Sequence, residues 1–213
     1  MLDIDVAQVF LIFIVLLFSL TVHETAHAWT ADRLGDPTAR LLGRISLNPI
    51  VHADPIGTVV FPLLAMLSGA PLIGWAKPVP VNTARLGHPR RDYMLVAAAG
   101  PASNLVLAVV AATALAALPV SPLRLGEPNL SVPLASMLSR AVQLNVLLAV
   151  FNMLPIPPLD GGNVLSGLLP RSLSGVFDRL RPYGFILLYA LMLTGAFQYI
   201  VVPPYLFIRS LLP

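Results

Sequence analysis

The chain is predicted to be an all-α integral membrane protein, a polytopic helical bundle of about four to six membrane segments with a re-entrant or extended element after the first helix. Three observations carry that prediction. Of 213 residues, 57% are hydrophobic and 11% are charged, whereas a soluble domain carries about 25% charged residues. Mean hydropathy is +0.83. Long apolar runs recur along the chain, and the basic residues sit in the loops between them, a pattern that suits membrane orientation better than nucleic-acid binding. Cysteine is absent, which excludes a disulfide frame and a thiolate metal site. There is no internal repeat.

The first element runs from about Val6 into the low thirties. It should end near Gly35-Asp36-Pro37, where glycine can take the left-handed cap and proline forbids continuation. Asp3 and Asp5 with no Lys or Arg before it have the wrong sign for a signal peptide, so this helix is expected to be retained. Near its end stands His23-Glu24-Thr25-Ala26-His27. Helical positions i and i+4 share a face about 6 Å apart along the axis, so both imidazoles can converge on one Zn²⁺. Glu24 lies roughly 100° round, which suits a general base better than a ligand. Ionisable groups at membrane depth are costly unless paired, metal-bound or hydrated. The bland reading is a polar cluster that holds helices together. Counted from Val6, His23 lies about 25 Å into a core roughly 30 Å thick, near the far face.

Ile56 to Ile73 is apolar but rich in Pro and Gly, and both flanks are basic. A simple crossing would place one basic flank outside, so a re-entrant or surface element is expected. Gly74 to Val81 reads as an extended edge, because its prolines exclude a helix. Tyr93 to Leu118 is the next span, with Gly100-Pro101-Ala102-Ser103-Asn104 early in it, where small residues admit a neighbouring backbone. Pro119 to Pro133 reads as a Pro-rich outer loop, and Leu134 to Leu154 as another span with Arg140 snorkelling at its outer end.

That span runs into Asn152-Met153-Leu154-Pro155-Ile156-Pro157-Pro158-Leu159-Asp160-Gly161-Gly162. The prolines exclude a helix, so Asp160 is expected on extended backbone, either as a third zinc ligand or in an Asp-Gly surface turn. After an interfacial segment with Arg171, Arg179 and Arg181, a last span should run from about Tyr183 to Val202. Pro203-Pro204 should stop it, leaving Tyr205 to Pro213 as a hook. On this topology Arg33, Arg40, Arg44, Lys77, Arg85, Arg90, Arg91, Arg171, Arg179 and Arg181 lie inside, and Arg124, Arg140 and Arg209 outside or near it. The N-terminus is then outside and the His-Glu-x-x-His end cytoplasmic.

Taken as a set, His23 to His27, Gly100 to Asn104 and Asn152 to Gly162 resemble the three signature blocks of the site-2 proteases, zinc metalloproteases that cut within membranes. Arg44 to Pro49, His52 to Thr58 and Gly74 to Val81 are similar to the compact bacterial branch, without PDZ or CBS domains. The resemblance covers most of residues 17–165 and implies a single membrane-embedded metalloprotease domain over 1–213. It implies one Zn²⁺ per chain held by His23, His27 and Asp160, Glu24 as general base, and a single-pass membrane protein in the bilayer as substrate, with no nucleic-acid partner. The residue matching Asn152 is linked to holding substrate or stabilising the reacting carbonyl, and the one matching Asn104 to positioning substrate, with Gly100 at the head of the same block. The implied process is regulated intramembrane proteolysis near the cytoplasmic face of the inner or plasma membrane.

An extended edge at Trp75 to Val81 could pair with an unwound substrate by strand addition. His52 and Asp54 are candidates for a supporting or regulatory role, against a loop histidine bonded to backbone. His88 reads as exposed, and Trp29 and Trp75 as interfacial anchors. From another class, the chain could be a metal-binding transporter or an inactive scaffold, but transporters often show repeated halves, which are missing here.

Overall fold

The computed structural model describes residues 6–68, 75–118 and 131–213. Helix α1 spans Val6–Arg33. It ends as the sequence requires: Gly35 takes φ 109°, and the Asp36 amide donates back to the Ala31 carbonyl at 2.9 Å. Asp36, fully buried, accepts from the Thr38 amide at 3.1 Å at the start of the short helix α2 (Thr38–Leu41), whose N-cap is Pro37. Its other oxygen accepts from the Asn82 amide at 2.6 Å.

Next come a turn at Pro49–Val51, a π-helical turn at Pro55–Val60 and helix α3 (Phe61–Ser68). Asp54 caps the π-helical turn, accepting from Ile56 at 3.0 Å and Gly57 at 2.7 Å. Together Pro55–Ser68 extend about 21 Å, short of a hydrocarbon core of roughly 30 Å. The chain then runs back along this loop. Trp75 donates its amide to Gly57 at 3.0 Å and Lys77 to His52 at 2.8 Å, while the Thr58 hydroxyl donates to the Trp75 carbonyl at 2.7 Å. The segment is extended, yet no strand is assigned among the described residues. Residues 69–73 of the expected re-entrant stretch, and Gly74 at the head of the expected edge, lie outside the described residues.

Helix α4 (Pro89–Ala116) is the centre of the bundle and packs along both α1 and α5 (Ser131–Asn152). Lipid tails are as apolar as leucine, so close packing and interhelical hydrogen bonds hold such helices together rather than water exclusion. The contact accordingly pairs small Ala108, Ala111 and Ala112 with Val142, Val146 and Val150. Ser131–Pro133, expected in the loop, instead form the first turn of α5, where proline's missing amide costs nothing. The rest of that loop, residues 119–130, lies outside the described residues.

Two expectations about the C-terminal third are corrected. Asp160 is not on extended backbone: it opens helix α6 (Asp160–Leu168), with Leu159 as the extended N-cap. The non-helical turns are confined to 153–159, and a carboxylate in a first helical turn is favoured by the helix dipole. Nor do Pro203-Pro204 stop the last segment. After α7 (Arg171–Leu180) and a turn at Arg181–Tyr183, α8 (Gly184–Leu193) meets α9 (Ala196–Ser210) at a bend of 85°. The break falls at Gly195, with φ 71°, and α9 continues through both prolines. Prolines remove only their own amides, and packing against α5 supports the rest. Phe197 lies 5.9 Å from Phe151 between ring centroids, and Val201, 1% exposed, joins the α4–α5 core with Tyr205 packed beside it. Tyr205 and Arg209 thus belong to a helix running along α5, not to a hook. The described residues contain three helices long and apolar enough to cross a membrane, or four if α8–α9 counts as one.

Candidate metal centre

The helical backbone of α1 sets His23 and His27 one turn apart on the face turned toward α4 and α6, 4% and 8% exposed. Their Nε2 atoms are 3.0 Å apart. Asp160 reaches them from the start of α6, with Oδ2 at 3.1 Å from His23 Nε2 and 3.4 Å from His27 Nε2. Gly100 of α4 closes the same space from another side, for a Cβ there would lie 2.4 Å from His27 Nε2 and 2.5 Å from His23 Nε2. Gly161 admits the chain to this position: a Cβ on it would meet the Met153 carbonyl at 2.2 Å.

Hydrogen bonds behind the imidazoles determine their tautomers. His23 Nδ1 lies 2.6 Å from Asn104 Oδ1, and His27 Nδ1 lies 2.7 Å from the Val96 carbonyl. Both partners are acceptors, so each Nδ1 carries the proton and a neutral ring leaves Nε2 bare. Two bare nitrogens then face a carboxylate oxygen that is enclosed and has no hydrogen-bond partner. Three lone pairs converging at 3.0–3.4 Å repel unless a cation lies among them. Ligands on tetrahedral zinc at about 2.0–2.1 Å stand roughly 3.3 Å apart. The donor set and its spacing therefore fit Zn²⁺. His23, His27 and Asp160 are a group that could hold a metal ion, with all donor atoms within 4.8 Å.

Glu24 is half-buried on the same turn, within electrostatic reach of His27 and His52. Asn104, 0% exposed, gives its amide nitrogen to Asn145 Oδ1 at 2.8 Å. Asn152 closes α5, half-buried, with its amide donating to the Leu148 carbonyl at 2.9 Å and not to the metal group. His52 is 2% exposed and donates from Nε2 to the Ser46 carbonyl at 2.8 Å; the hydroxyl of Thr25, between Glu24 and His27, donates to that same carbonyl at 2.7 Å. Burial, aided by Arg44, holds the His52 pKa below its usual 6.5 against the opposing pull of the Ser46 bond and Glu24. Asp54 is occupied in capping. His88 is exposed at the N-cap of α4. Trp29 is half-exposed with Arg33 5.1 Å above its ring, and Trp75 lies over Gly57 and Phe61.

Asn145, Ser19 and the Val96 carbonyl were not anticipated. Asn145 did leave a signal: an amide inside an apolar run is expensive in lipid and marks a partner on a neighbouring helix.

YwhC of Bacillus subtilis (strain 168), named a candidate zinc metalloprotease, is 38% identical over 190 residues, 89% of this chain and 83% of its own. Rip2 of Mycolicibacterium smegmatis (strain ATCC 700084 / mc(2)155), named likewise, is 32% identical over 84% of this chain and 65% of its own. Rip2 of Mycobacterium tuberculosis (strain ATCC 25618 / H37Rv) is 39% identical over 68% of this chain, which spans about half of it at 52%. No solved structure is significantly similar to the chain. The model for Peptidase family M50 matches residues 11–135 and 127–194. With those matches and a zinc-fitting donor group on apolar helices, the chain belongs to Peptidase family M50, the site-2 protease family of multi-pass membrane zinc metalloproteases.

Proposed function

We propose that this metalloprotease hydrolyses a peptide bond in the transmembrane segment of a single-pass membrane protein, near the cytoplasmic face. His23, His27 and Asp160 hold the zinc, and residues 1–213 act as one membrane-embedded domain whose core motifs lie in 17–165. One observation carries this reading: two imidazoles on the C-terminal part of a 28-residue apolar helix converge with the Asp160 carboxylate of α6 at 3.0–3.4 Å. The 10 basic residues grouped with that end, against three elsewhere, support a cytoplasmic position and an external N-terminus.

Zinc, when bound, supplies Lewis acidity toward a carbonyl oxygen and toward water. The Glu24 carboxylate takes the proton of the attacking water and delivers it to the leaving amine. A helical substrate hides its carbonyls in its own hydrogen bonds, so its segment must unwind before attack. Asn152, whose amide donates to the Leu148 carbonyl at the end of α5, holds the substrate once released from that bond. Regulated intramembrane proteolysis in the inner or plasma membrane follows from such a cut.

The test is Glu24→Gln in the purified chain, reconstituted with zinc and a panel of single-pass peptides whose cuts are mapped by mass spectrometry. Zinc content should be unchanged and cleavage lost, and cuts in the active chain should fall inside the hydrophobic segment. Cleavage surviving in Glu24→Gln, or cuts confined to soluble regions, would refute the reading.

A further inference from the structure

Behind the metal-facing edge of His23, a line of polar side chains crosses three helices. His23 Nδ1 donates to Asn104 Oδ1 at 2.6 Å. Asn104 Nδ2 donates to Asn145 Oδ1 at 2.8 Å and stands 3.5 Å from the Ser19 carbonyl. Asn145 Nδ2 donates to Ser19 Oγ and to the Ala141 carbonyl, each at 2.9 Å. The line starts and ends on α1, passing through α4 and α5. Ser19, His23, Asn104 and Asn145 are 1%, 4%, 0% and 2% exposed, so water replaces none of these bonds.

We propose that Asn145 is a positioning residue for His23, acting through Asn104. The inference rests on the reading that His23 ligates zinc. An amide side chain is nearly symmetric in shape, and only its partners decide which end presents oxygen. Asn104 must present oxygen to His23, because an NH₂ there would make Nδ1 the acceptor. The ring would then carry its proton on Nε2, the atom that must be bare to bind metal. Asn145 holds Asn104 in the productive orientation by offering it an oxygen. Asn145 is oriented in turn, since its own NH₂ is used by Ser19 and Ala141. Without Asn145, the Asn104 NH₂ keeps only the 3.5 Å approach to the Ser19 carbonyl, and both orientations become accessible.

The experiment measures zinc affinity of the full chain in detergent by competition with a chromophoric chelator, alongside the melting temperature with and without zinc. Variants are Asn145→Leu, Asn145→Ala, Ser19→Ala, Asn104→Ala, the double variant Asn104→Ala/Asn145→Leu, and His23→Ala. Loss of such outer partners costs about 10–100-fold in metal affinity; Asn145→Leu should weaken zinc on the order of 10-fold. It should also shrink the zinc-induced rise in melting temperature, which a merely structural role would leave intact. The double variant should bind no worse than Asn104→Ala alone, because the two act in series. Unchanged affinity in folded Asn145→Leu, or additive losses in the double variant, would overturn the proposal. Should Asn145→Leu not fold, Asn145→Ala decides: a smaller zinc-induced rise supports the line, and an unchanged one overturns it, while Ser19→Ala should cost less than either because the Ala141 carbonyl still orients Asn145. Zinc retained in His23→Ala would instead overturn the metal assignment beneath it, which separates the two failures.

Discussion

Asn104 Oδ1 lies 2.6 Å from His23 Nδ1, joining two residues 81 positions apart. The amide that family resemblance assigns to substrate is here occupied by a histidine on one side and Asn145 on the other. Its burial in the α1–α4–α5 contact makes it part of the wall behind the His23–His27–Asp160 group.

Removing the carboxylate at the head of α6 should abolish tight metal binding. Asp160→Ala leaves two imidazoles, which are too few for a zinc site. Metal analysis after dialysis should find the variant nearly empty while the parent chain retains zinc. Retention at the parental level would exclude Asp160 as a ligand.

Gly100→Ala is expected to impair the site without touching a polar group. Its Cβ would stand 2.4–2.6 Å from atoms of His23 and His27. Those rings are held from behind by Asn104 and Val96, so neither can swing aside freely. Zinc affinity should fall on the order of 10-fold or more, comparable to loss of an outer partner. A chelator titration reads this directly.

Acid sensitivity should trace in part to Asp36. Burial opposes its ionisation, but the Thr38 hydroxyl and the Asn82 and Thr38 amides hold its pKa below the ordinary 3.8. A folded pKa below the unfolded one gives stability that is present above about pH 4 and is lost as pH falls through the folded value. Asp36→Asn should therefore melt lower than the parent at pH 7, with the gap closing below about pH 4. A gap that persisted unchanged at low pH would show that geometry, not charge, matters there.

Much was legible along the chain because it depends on near neighbours. The span of α1, its stop at Gly35 and the shared face of His23 and His27 follow from helix period and glycine conformation. The apolar runs of α4 and α5 were equally plain, with N-terminal ends misjudged by a few residues, because Pro89 opens α4 and Pro133 sits in the first turn of α5. Proline was likewise over-read at Pro203-Pro204, since tertiary packing of α9 on α5 outweighs two missing amides.

By itself the sequence determined a membrane-embedded helical chain, two histidines in ligand register and a glutamate beside them, all from local periodicity and composition. Only the tertiary structure decided that Asp160 swings round on α6 to face them, and that Asn145 of α5 reaches Ser19 of α1 across 126 positions. Those contacts depend on how helices cross and rotate against one another, which is set by the small residues at their interfaces and leaves no fixed spacing in the chain.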